Sequence, residues 1–242
     1  LRPVPEYHSD EYGYQLMQQW EKEGRVDDLK RVYDNPYHRP APTKIPAGRI
    51  ELQLPEGASF ERTQLDARPP VAQVQLSGAR IRVWIHATEP VGIIEVDGAA
   101  PDGIRLQAPA FGGKEEGPAE AAIVMGELAE LGYPPPVETE GDSWRAYTQE
   151  GWGGFHFAVY LGWKATTTGW RGAWSIASSR DSDVPLAVAK AQVERALGGE
   201  NEALVQSHAD WWDAYWQKSL VRVPDARIER QWYLDTYKFG AA

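Results

Sequence analysis

The chain contains no cysteine, only two methionines and no run of 18 apolar residues. The first absence excludes a disulfide framework, a thiol nucleophile and cysteine-bound metal. It leaves the compartment open, and a secreted or periplasmic setting fits the reading below better than a cytoplasmic one. The lack of a long apolar run excludes a membrane-spanning helix. Basic residues are scarce: 25 Lys and Arg stand against 35 Asp and Glu, a formal net charge of -10. Such a surface lacks the basic patches that neutralise phosphates, so neither nucleic acid nor an anionic membrane is an expected partner. The sequence has no G-x-S-x-G elbow, no phosphate loop and no H-E-x-x-H. Its five histidines (His8, His38, His86, His156 and His208) are scattered without metal-ligand spacing, so no metal or cofactor is expected.

Tryptophan is what the chain has in surplus, with 11 in 242 residues. A tryptophan serves either as a large core anchor or as a platform for a sugar ring, and core use is the commoner of the two.

Hydrophobic period divides the chain into three. In residues 1–40, Leu16, Met17 and Trp20 share a helical face, and Val26, Leu29, Val32 and Tyr33 resume it after Gly24. Pro36, Pro40, Pro42 and Pro46 then end helical structure. Residues 41–180 alternate apolar and polar, as in Ile50–Leu54, Val71–Leu76, Arg80–His86 and Val91–Val96. Turn signals at Gly57, Gly78, Pro90 and Gly98 separate these runs. That spacing predicts an antiparallel β-sandwich with one wet face. Ala119–Leu131 reads as a short helix, and Pro134 through Asp142 as a linker or solvated loop. From 184 to 242 the period returns to 3.6, with a stripe at Leu186, Ala189, Val193, Ala196 and Leu197 ending at Gly198-Gly199. An aromatic helix follows through His208, Trp211, Trp212, Tyr215 and Trp216. A last helix then carries Ile228, Trp232, Tyr233 and Tyr237 on one apolar face. The fold class is therefore mainly β with α: an antiparallel sandwich followed by a helical connector.

Three stretches carry a family likeness. They are Ile45–Leu52 with Thr63–Asp66, then Ile81–Ile94, and the aromatic connector from His208 to Tyr237. In this order they resemble the N-terminal β-super-sandwich and helical linker of bacterial (α/α)6-barrel glycoside hydrolases. That group includes the α-L-fucosidases and the maltose and kojibiose phosphorylases. The resemblance implies a non-catalytic part of an enzyme acting on oligo- or polysaccharide, buttressing a barrel that lies outside this chain. The family's general acid sits on that barrel, so no residue here inherits a catalytic role. The aromatic face after Pro224 and a start at Leu1 without a signal segment read as a chain cut at both ends.

Four residues are candidates for sugar contact: Glu150, Trp152, Trp170 and Trp174. Glu150 precedes Gly151-Trp152-Gly153-Gly154, a flexible turn pairing an acid with an aromatic. Trp170 and Trp174 flank Arg171-Gly172-Ala173, read as a hairpin that exposes its rings, with a cation–π pairing of Arg171 as another use. For each tryptophan, packing is the competing role. His156 reads as a wet-face strand residue and His208 as a hydrogen-bonded packing histidine. Two other functions fit the same features: a stand-alone carbohydrate-binding sandwich, or an interaction domain that docks a protein through its aromatic helices.

Overall fold

The computed structural model describes residues 12–34, 47–108, 133–198 and 201–241. The chain forms two compact units, Leu1–Pro46 with Ala110–Pro134, and Ala47–Pro109 with Pro135–Ala242.

In the first unit, helix α1 (Tyr14–Lys22) leads to the single turn α2 (Val26–Leu29) and a π turn at Lys30–Asp34. Trp20 and Val32 are buried, Arg25 lies 5.1 Å over the Trp20 ring, and the Tyr33 hydroxyl donates to the Gly13 carbonyl at 2.9 Å. The proline cluster at 36–46 and the helix read at Ala119–Leu131 lie outside the described residues.

The second unit holds ten strands. These are β1 (Arg49–Gln53), β2 (Phe60–Ala67), β3 (Pro70–Leu76), β4 (Ala79–Ile85), β5 (Val91–Gly98), β6 (Gly103–Gln107), β7 (Val137–Gly141), β8 (Trp144–Glu150), β9 (His156–Ala165) and β10 (Gly169–Ser178). Eight form one antiparallel sheet in the order β2-β3-β4-β5-β10-β9-β8-β7, and β1 and β6 form a separate two-stranded ribbon. Helices α3 (Pro185–Leu197), α4 (Asn201–Trp216) and α5 (Ala226–Gly240) follow. The protein is thus mainly antiparallel β with helices after it, a sandwich of very unequal layers.

Alternation decides which side chains meet. One face of the large sheet packs Trp84, Val91, Ile93, Ala146, Tyr160 and Ala173 against Ala189, Val193 and Ala196 of α3. Small residues let that helix lie close: a Cβ on Gly162 would come within 3.0 Å of Val193 Cγ1. The other face packs Leu76, Ile81, Ile94, Val96 and Trp170 under Ile50, Leu52 and Ile104 of the ribbon.

Two expectations are corrected here. Val137–Gly141 is an edge strand, β7, paired with β8 from Val137↔Thr148 to Gly141↔Trp144. Its acidic side chains are solvated, and charge on an edge strand discourages pairing with another chain. Trp170 and Trp174 do not flank a hairpin. Both lie within β10, four residues apart on one face, and the turn before β10 falls at Thr166–Thr168.

Candidate functional site

The ribbon covers only part of its face of the sheet. Beyond it, strand register builds two cross-strand rows that point the same way. One runs Leu65↔Ala72↔Val83, and the other Ile85↔Gly92↔Trp174. The missing side chain at Gly92 is what shapes this surface. A Cβ there would meet the Trp174 ring at 2.1–2.3 Å, so the indole lies across the backbone of β5. Tyr237, Gly240 and Ala241 of the α5 end, with Trp212 of α4, close over these rows to form a cleft of about 330 Å³. Among the described residues lining it, none is an acid, a lysine or an arginine.

The helical side of the cleft is held by polar bonds to strand ends. His86, one residue after β4, presents Nε2 to the Leu204 carbonyl at 3.1 Å and the Ser207 hydroxyl at 3.0 Å. Its Nδ1 accepts from the backbone N–H groups of Thr88 (3.2 Å) and Glu89 (3.0 Å), which fixes the proton on Nε2. His208 Nε2 donates to the Pro70 carbonyl at 3.3 Å, and Trp216 Nε1 to the Ala67 carbonyl at 2.8 Å. Arg68 and Asp213 form an ion pair at 2.9 Å. The two imidazoles stand 5.7 Å apart, 5% and 3% exposed. Burial lowers the pKa of both. For His86 the bond to Leu204 and the charge of Glu89 oppose the shift while Arg195 adds to it. For His208 the bond to Pro70 opposes and His86 adds. Both therefore stay neutral near pH 7. Two buried polar atoms lack partners here, the acceptor His208 Nδ1 and the donor Trp212 Nε1, one helical turn apart on α4.

Helix α5 stacks on α4 through aromatics, with Trp212–Tyr237 centroids at 5.7 Å and Trp216–Tyr233 at 5.8 Å. The Tyr215 hydroxyl donates to the Thr236 carbonyl at 2.7 Å. Asp225 caps α5 by accepting from the Arg227 N–H.

The four sequence candidates are not gathered into one site. Trp174 is half-buried and lines the cleft. Trp170 is 5% exposed and packs in the core under the ribbon, with an edge at a cavity it shares with Ile104, Arg145 and Trp163. Trp152 begins a 3-10 turn and is 47% exposed. Glu150 ends β8 opposite His156, five positions along and two strands across from Trp174, or about 20 Å away by strand geometry. Arg171 takes no tryptophan: it points to the opposite face, 3.8 Å from Glu95. Trp163 instead lies under Arg145 at 5.3 Å. His208 is the hydrogen-bonded packing histidine expected. Tyr237 and Gly92 were not expected at the site. Gly92, interrupting the apolar run Val91–Ile94, was the available signal for a ring approaching from a neighbouring strand.

No family model matches the chain, and no curated protein is similar to it in sequence. Among solved structures, one described as a kojibiose phosphorylase from the human microbiome is distantly similar. The match covers 66% of this chain and 24% of that one, with 8% identity and a TM-score of 0.43. The chain thus corresponds to about a quarter of that protein's length.

Proposed function

We propose that this chain is the non-catalytic β-sandwich and helical connector of a glycoside hydrolase, a bracket against which an (α/α)6 catalytic barrel rests. The contrast between α4 and α5 carries this reading. Helix α4 is fastened to the sheet by His86, His208, Trp216 and the Arg68–Asp213 pair. Helix α5 has no fully buried residue and leaves Ile228 62% and Phe239 81% exposed, with Leu220 before it at 81%. A helix offering apolar surface, carried on another that is fastened to the sheet, is what a neighbouring helical layer packs against.

The reading frame after codon 242 tests the proposal. Continuation into several hundred residues of amphipathic helices with a carboxylate pair supports it, and a stop codon overturns it. In the joined protein, Ile228→Asp with Phe239→Asp should lower glycosidase activity while leaving the melting of this chain alone unchanged. A second reading, a carbohydrate-binding sandwich acting by itself, is favoured by the Trp174 cleft.

A further inference from the structure

We propose that the cleft between the sheet and α5 is a binding site for a neutral pyranose, with Trp174 and Tyr237 as its two stacking surfaces. It takes its class of ligand from the carbohydrate reading above, but the geometry supplies the rest.

Trp174 is seated on Gly92, so one ring face is fixed against the β5 backbone and the indole contributes its remaining surface to the cleft. A ring held this way loses little freedom when a ligand stacks on it, which lowers the entropic cost of binding. Tyr237 lines the same cleft from α5, in ring contact with Trp212 and bearing a phenolic hydroxyl. Aromatic rings favour the C–H faces of a sugar, and a tyrosine adds a polar handle at the edge. The volume of about 330 Å³ lies at the small end of ligand pockets, about 300–1,000 Å³, and suits one or two sugar rings.

Charge narrows the ligand further. A carboxylate or ammonium group entering the cleft would be desolvated with no ionic partner among its lining residues. The net charge of -10 adds a long-range penalty for acidic sugars. His86 does not change this, because both its ring nitrogens are already bonded.

The test is an NMR titration of the indole N–H signals of this chain with maltose, cellobiose and N-acetylglucosamine, with uronic acids as charged controls. The expected result is a saturable shift of the Trp174 signal by a neutral sugar and none by the uronic acids. Trp174→Ala should weaken binding at least about tenfold. Gly92→Ala, which keeps the indole but unseats it, should do the same. Ile176→Ala, on the same face outside the cleft, should leave affinity unchanged. A shift confined to Trp152, or sugar binding that survives both cleft variants, overturns the proposal. So does a cleft that takes anilinonaphthalene sulfonate but none of the neutral sugars at tens of millimolar. None of these outcomes bears on the bracket reading, which the downstream frame decides. A stop codon with sugar binding intact would leave the site standing and remove only the barrel.

Discussion

Acidification should loosen the helical connector at a pH where few other groups titrate. His86 and His208 are buried, neutral and bonded as Nε2–H donors, and protonating His86 Nδ1 would forfeit its bonds from Thr88 and Glu89. Their folded pKa values lie below the ordinary imidazole value of about 6.5, whereas the unfolded chain titrates there. The unfolded state therefore binds more protons, so stability is full above about pH 6.5. It falls with decreasing pH until the folded values are passed. At pH 5.5 the loss has an upper limit of about 1.4 kcal/mol per histidine, reached when the ring stays wholly neutral in the fold, or about 2.8 kcal/mol for both. That is a large part of a typical stability of about 5–15 kcal/mol, and for a domain of this size it lowers Tm by up to about 6–11 °C. Asp97, held low first by its bond to Arg80, titrates well below this window.

Thermal melts at pH 8 and 5.5 measure the effect, with the His86→Gln/His208→Gln double variant as reference. The variant is expected to be less stable at both values, but its Tm should change much less between them. Equal pH dependence in the two proteins would refute the reasoning. Imidazole resonances of the two residues titrating at the ordinary value would refute it as well.

Gly92→Ala should cost about 1–3 kcal/mol in urea unfolding and shift Trp174 fluorescence to the red, because the indole must leave its seat. Trp216→Phe removes the donor to the Ala67 carbonyl and should destabilise by about 1–3 kcal/mol; hydrogen exchange should speed along α4 before the sheet. Arg171→Met is expected to be neutral or stabilising by up to about 1 kcal/mol. Its guanidinium is buried with Nε and Nη2 unpartnered, and Glu95 keeps Arg82 at 2.8 Å. A loss above about 3 kcal/mol would show that the Arg171–Glu95 contact stabilises more than its geometry suggests.

The central strands and helices were legible because their patterns have one physical reading. Apolar–polar alternation over Ala72–Leu76 and Arg80–Val83 matches half-buried strands, and the stripe Ala189, Val193 and Ala196 gives the buried face of α3. Edge strand β7 was missed because an edge need not alternate: Val137–Glu140 is exposed throughout, and its pairing is made by backbone. The run Gly169–Ser178 looked like a hairpin because Gly172 interrupts it, yet that glycine only makes room for the Trp170 ring. The site was legible in part. Trp174 could be singled out by type, but Tyr237 lines the same cleft from a helix more than sixty residues later, and local pattern carries no information about such a closure.

Four of the 11 tryptophans and four of the 23 glycines are paired in this fold. Trp174 lies on Gly92, Trp144 on Gly141 across the β7–β8 pair, Trp170 over Gly172 of its own strand, and Trp212 against Gly240 of α5. A Cβ at any of these glycines would fall 2.1–2.8 Å from a ring atom. The glycine weakens its own element by lost entropy, but it lets a large ring lie flat, where a smaller side chain would bury far less area. Three of these rings are then covered on their other side or edges. Trp144 stacks on Tyr160, Trp170 lies under the ribbon, and Trp212 is enclosed by Tyr215, Trp216 and Tyr237. Trp174 has the same seat, yet part of its surface lines an open cleft. That opening is what the proposed sugar site requires and what sets Trp174 apart from the other three seated rings.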